Sequence, residues 1–182
     1  MRHWAILFAS ALCFLPATPA SAADRYTLDP ARSEIRFSIR NLGIGRVYGK
    51  FTEFSGALLY DERDASRSSA TAAVQTVSID TRIRRRDEHL RSPAFLDTAA
   101  YPEMAFQSTR VEMNGPEGVC VGTLTLHGVS KEVRIPFKIS QGDRLSIQAD
   151  FALNRRDFGI SYNALIGNEV TVALRLEAIP EH

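Results

Sequence analysis

Beyond its N-terminal leader the chain offers few side chains suited to chemistry. They are His89, His127 and His182, a lone Cys120, and an arginine run at Arg82, Arg84, Arg85 and Arg86. The histidines are scattered, one is terminal, and Cys120 stands seven residues before His127 with no second cysteine near it. Zinc sites need closely spaced Cys and His ligands, so no metal is expected. A Ser-His-Asp triad can be assembled from distant segments, but the chain has no G-x-S-x-G elbow. Gly43-Ile-Gly45-Arg-Val-Tyr-Gly49 has one residue too many for a dinucleotide fingerprint, and no helical pattern follows it. Asp157-Phe158-Gly159 spells a kinase metal motif without the other kinase elements. No catalytic residue and no cofactor are expected, and His89 and His127 read as structural or surface residues.

The arginine run is the sharper signal. Guanidiniums crowded at a helix start could grip a phosphate or pyrophosphate headgroup. However, Asp87 and Glu88 follow at once, and Arg84–Glu88 and Asp87–Arg91 have the four-residue spacing of ion pairs on a solvated helix face. The solvated face is the simpler reading; Arg84, Arg85 and Arg86 remain headgroup candidates. The helix itself is predicted to start from an N-cap at Asp80 or Thr81 and to stop at Pro93.

Length and charge narrow the field. Arg2 and His3 precede the apolar run Trp4–Leu15, then Pro16 and the small-residue site Ala20-Ser21-Ala22. This is the pattern of a cleaved secretory signal, and the run is shorter than the ~20 residues of a membrane span. Removal of 22 of the 182 residues leaves 160, one domain, with 21 basic residues against 21 acidic ones. Such a neutral chain has no global field to gather nucleic acid or to hold it on an acidic membrane, so neither nucleic-acid binding nor stable membrane insertion is expected. Cys13 leaves with the signal, so no internal disulfide supports the fold and Cys120 is expected to be buried.

The elements that must position these residues are strands. Glu34–Arg40 alternates strictly, with Ile35, Phe37 and Ile39 on one face. Val47–Tyr60 continues as a hairpin partner, with a bulge expected near Ser55-Gly56. Ala70–Ile79, Met104–Glu112, Val119–Leu126, Val133–Ile139, Leu145–Leu153 and Val170–Ala178 follow, most with period-two apolar faces. Pro136 lies on the outward parity of its strand, which places it at an edge, a bulge or a non-bonded position. Seven or eight strands with short connections indicate a sandwich or a barrel. Strand lengths above the usual ~5–6 residues and the single helical interlude favour the barrel.

Ordered motifs then point to a family. Leu28-Asp29-Pro30, Val47-Tyr-Gly49-Lys-Phe51, Ser78-Ile-Asp-Thr81 and Arg86-Asp-Glu-His-Leu-Arg-Ser92 are followed by Tyr101-Pro102, Gly122-Thr-Leu-Thr-Leu-His-Gly128 and Asn154-Arg-Arg-Asp157-Phe-Gly159. In this order they resemble the YceI-like family across the whole chain after the leader. The resemblance implies an all-β, eight-stranded antiparallel lipocalin-like barrel, exported to the periplasm after cleavage near Ala22, that encloses a long apolar chain of isoprenoid type. The parity reading puts that chain among Phe37, Phe51, Phe106, Leu124, Phe137 and Phe151, with Phe95 and Leu96 near the mouth. The partner expected is a long-chain amphiphile, with a homodimer left open. Two rival readings are a stress-related barrel with a filled core and an enzyme acting on a lipid or quinone-like substrate through His89 or Asp87.

Overall fold

The computed structural model describes residues 23–41, 45–162 and 165–181; the expected leader and Gly43 lie outside these. Eleven strands form one antiparallel sheet: β1 (Asp24–Leu28), β2 (Glu34–Asn41), β3 (Gly45–Phe51), β4 (Phe54–Tyr60), β5 (Ser69–Gln75), β6 (Ile79–Asp80), β7 (Glu103–Asn114), β8 (Glu117–Leu126), β9 (Val129–Gln141), β10 (Leu145–Asn154) and β11 (Ile166–Pro180). Eight of them close a ring in the order β1-β4-β5-β7-β8-β9-β10-β11, with β1 returning to β11. Closure leaves no unpaired edge in the ring. The other three strands, β2, β3 and β6, extend one end of the wall. The 15-residue β11 makes this possible: Ala178–Pro180 pairs with β1, while Val170–Arg175 pairs with β2.

No bulge lies at Ser55-Gly56, where β4 pairs with β5 in unbroken register from Phe54 to Leu59; the irregular spacing comes from a break between strands. β3 and β4 are parted at Thr52-Glu53, where Ser78 Oγ accepts from both backbone N–H groups at 3.2 and 3.1 Å. This hydroxyl comes from a 3-10 turn at Thr76–Ser78, which likewise parts β5 from β6. Pro136 sits just beyond the last β9–β10 pair, Phe137 with Ala149, so its missing N–H costs that ladder nothing.

The helix α1 spans Arg84–Arg91 between β6 and β7. Its N-cap is Ile83, not Asp80 or Thr81, and no side chain caps it. The reason is Asp87, whose carboxylate is buried and accepts from Thr81 N at 2.9 Å and from the Thr81 hydroxyl. Thr81 is thereby held inward and Asp87 does not pair with Arg91. Arg91 instead donates to the carbonyls of Val77 and Ile79 at 2.7 and 2.8 Å, pinning the helix end to β6. The helix stops at Arg91, two residues before Pro93, whose ring keeps Ser92 out of the helical region.

Candidate functional site

One end of the barrel is packed shut. Tyr26, Leu28, Ile139, Leu145 and Ala178 are all buried against one another there. A second cluster, Cys120, Val133, Ile135, Ala149 and Phe158, seals the wall where β9 and β10 part. Phe158 comes from a 3-10 turn at Arg155–Phe158, and His127 Nδ1 meets its carbonyl at 3.2 Å. His127 also packs on Tyr101, with ring centroids 4.6 Å apart, so it ties the β8–β9 turn to this plug.

Between floor and helix the interior is hollow. A cavity of about 710 Å³ runs up the barrel, walled by the inward parity of every long strand. Along β10 these are Leu145, Ile147, Ala149, Phe151 and Leu153, and along β11 Val170, Val172, Leu174 and Leu176. Phe37, Phe51, Phe95, Leu96, Phe106, Leu124, Phe137 and Phe151 all line it. Most of them are only half-buried although they point into the barrel, because no side chain opposes them across the void.

Three rings owe their positions to glycines. Phe37 and Phe137 lie directly across the ladder from Gly49 and Gly118, and Phe106 lies over Gly122. A Cβ on Gly118 would come 2.7 Å from Phe137 Cζ, and one on Gly122 would come 2.6 Å from Phe106 Cζ. Each ring is therefore laid flat along the wall rather than pushed into the lumen.

The open end is framed by α1 and the segment after the 3-10 turn. Ile83, Arg85 and His89 from the helical side and Tyr162 opposite are both exposed and on the cavity lining. His89, Phe95 and Tyr162 form an aromatic clasp: centroids are 5.1 Å apart for His89–Phe95, 5.4 Å for His89–Tyr162 and 4.9 Å for Phe95–Tyr162. Such edge-on pairs contribute ~0.5–1.5 kcal/mol each beyond their area.

Arg155 supports this frame. It is buried, and its guanidinium donates to the carbonyls of Gly167, Ile160, Tyr162 and Ile166 at 2.9, 2.7, 3.0 and 3.0 Å. Burial first, then the neighbouring Arg156 charge, lowers its pKa from the usual arginine value. Nothing in the periodicity marks it; only its place in the Asn154–Gly159 motif sets it apart.

The arginine run divides by role. Arg86 lines the cavity but is committed to Thr81, donating from Nε to Oγ1 at 2.7 Å and from Nη2 to the carbonyl at 2.8 Å. Arg84 lies off the lining, exposed and paired with Glu88 at 2.9 Å. Arg85 is exposed at the mouth. No Asp or Glu appears on the lining among the described residues. Cys120 is buried against the cavity wall, and burial pushes its thiol pKa from 9.0 up to about 11.

A closed antiparallel barrel with one sealed end and an apolar lumen belongs to the class of small barrels that are hollow rather than filled. The chain belongs to the YceI-like domain family, whose sequence profile matches residues 26–178. It is similar to Protein YceI of Escherichia coli O157:H7, with 34% identity over 184 residues covering 97% of this chain and 96% of that one. It also resembles a UPF0312 protein of Pseudomonas aeruginosa, 37% identical over 173 residues and 90% of each chain. Among solved structures, Burkholderia cenocepacia BcnA aligns with a TM-score of 0.78 at 20% identity, over 82% of this chain and 98% of that one. A polyisoprenoid binding domain from Saccharophagus degradans, implicated in plant cell wall breakdown, aligns at 0.71 with 18% identity, over 88% and 100%. No described helix is long and apolar enough to cross a membrane.

Proposed function

We propose that this protein binds a single long-chain apolar amphiphile of isoprenoid type and carries or stores it in the periplasm, after removal of a leader near Ala22. The observation that supports this most strongly is the hollow lumen itself, about 710 Å³ with aromatic and aliphatic walls. The chain would lie against Phe37, Phe51, Phe106, Leu124, Phe137 and Phe151, with Phe95 and Leu96 at its upper end. Its polar head would remain at the rim, where Arg85 is exposed. Arg86 would stiffen the rim through Thr81, and Arg84 would contribute charge only. The likeness of its fold to the polyisoprenoid binding domain from Saccharophagus degradans is consistent with this reading.

Affinity does not require polar machinery: at ~0.3 kcal/mol per heavy atom, the efficiency of larger ligands, roughly two dozen buried atoms give a Kd in the micromolar range. Acid–base chemistry by Asp87 is disfavoured, because its carboxylate is turned to Thr81 and lies off the lining. Solvent extraction of protein purified from its native compartment, followed by mass spectrometry, tests the proposal. One co-purifying isoprenoid-type lipid per protein is expected, and its consistent absence, with no uptake of added lipid, refutes carriage.

A further inference from the structure

We infer that the mouth of the barrel is a docking face for an anionic lipid bilayer, on which the cavity loads and unloads. The inference rests on the proposed carriage for its purpose, although the docking can be measured alone. Three of the large apolar side chains that stay exposed lie at this end: Ile83 at 52%, Leu165 at 58% and Tyr162 at 45%. Ile83 and Tyr162 are also on the cavity lining, so this apolar surface is continuous with the lumen. Leu165 precedes Ile166, which pairs with Asn41 at the far end of β2, on the same rim. The opposite end is closed by packed side chains.

Charge selects the partner. Arg82, Arg84 and Arg85 are exposed and flank Ile83 on both sides in the chain. Of the three carboxylates between residues 80 and 91, against five arginines, Asp87 faces Thr81 inside the fold, Glu88 answers Arg84, and Asp80 accepts from the Arg82 backbone N–H at 2.7 Å. The rim is thus locally cationic in a chain with almost no net charge. Apolar side chains that enter the acyl boundary, set among arginines that stay with the headgroups, are how peripheral proteins lie on anionic membranes. A lipid leaving the bilayer here would pass from acyl chains to Ile83 and Tyr162 and then into the lumen, with no aqueous step for its tail.

Cosedimentation with phosphatidylglycerol–phosphatidylcholine vesicles, against phosphatidylcholine alone, tests this. The protein is expected to bind the anionic vesicles preferentially and to lose affinity as salt rises. Arg82→Gln, off the lining and given no part in holding the ligand, should weaken binding roughly 5-fold, and Leu165→Ser should weaken it further. Binding of a fluorescent fatty acid presented in detergent micelles should be unchanged in these variants, which reports an intact cavity. Equal binding to both vesicle types, or variants that bind like the parent, would overturn the inference. So would a dimer in light scattering that Leu165→Ser dissociates, since the face would then meet a second copy. Vesicle binding by protein that yields no extractable lipid would leave the docking face standing and remove the carriage proposal.

Discussion

Paired phenylalanine truncations measure whether the interior is hollow in solution. Phe158 is only 2% exposed and packs in a cluster with Cys120, Val133, Ile135 and Ala149, so although it borders the lumen almost none of its surface is open to it. Phe158→Ala removes a fully buried ring and leaves a new void, for which core substitutions give a loss of ~3–5 kcal/mol. Phe106 is held on one side only, by Gly122 behind it and by Leu124 and Ala72 beside it in the ladder, and its other side faces the lumen. Truncating it enlarges a cavity that already exists, so about half the contacts are lost and the loss should be roughly half, ~1.5–2.5 kcal/mol. Denaturant unfolding of delipidated protein reads both values from the shift in midpoint at constant slope. Saturating lipid should then stabilise the parent more than Phe106→Ala, because a ligand stabilises the native state by RT ln(1 + [L]/Kd) and the parent binds it more tightly. If Phe106→Ala costs as much as Phe158→Ala without lipid, the lumen is filled in solution, and the reasoning behind the carrier reading fails.

Four further outcomes follow from the same geometry. Ala70→Phe introduces six carbons from the β5 wall into the lumen, about 180 Å³ at ~30 Å³ each, so native mass spectrometry should show the longest retained chain shortened by about six heavy atoms; an unchanged chain length would place the ligand elsewhere. Cys120 should be protected from a polar alkylating reagent when lipid is bound and more reactive when it is extracted, and equal rates in both states would contradict its place on the wall. Its thiol pKa is raised by burial, so its contribution to stability is intact below the unfolded-state value near 9 and is lost as pH rises toward about 11; Cys120→Ser should flatten this alkaline limb in pH-dependent unfolding. Arg155→Met strips four carbonyls of their donor and is expected to cost ~3 kcal/mol or more, with faster hydrogen exchange at residues 165–167; undisturbed exchange there would show that the frame does not depend on the guanidinium.

The lumen was more legible in the sequence than its mouth. Strand side chains alternate with period two, so Leu145–Leu153 and Val170–Leu176 disclose their inward residues directly, and the six strand positions chosen on that basis, Phe37, Phe51, Phe106, Leu124, Phe137 and Phe151, lie on the cavity lining. The local breaks were hidden because their causes are distant in the chain. Thr52-Glu53 opens because Ser78 supplies the hydrogen bond from 26 and 25 residues away. Asp87 resembles a surface charge until the fold brings Thr81 to it. Arg155 reads as another exposed arginine, because the four carbonyls that receive it exist as a set only once residues 160–167 have turned. Whether an arginine at the rim is free to meet a headgroup depends on these short-range partners, which spacing does not encode. Arg84, Arg85 and Arg86 are neighbours in sequence and have three different surroundings.

The glycines behind Phe37, Phe106 and Phe137 have a consequence for how such barrels diversify. Each is a hollow in the wall into which a ring is folded back, and none of the interstrand hydrogen bonds depends on the ring's position. Exchanging one ring for leucine would redraw the bore at that height without touching the ladder, whereas an alanine at Gly118 or Gly122 would also press on the Glu112 or Gln107 carbonyl at 2.5 Å. The backbone thus works as a fixed mould with an adjustable lining, and chains with the same topology and little sequence in common could come to accept quite different guests through a few changes at those three heights.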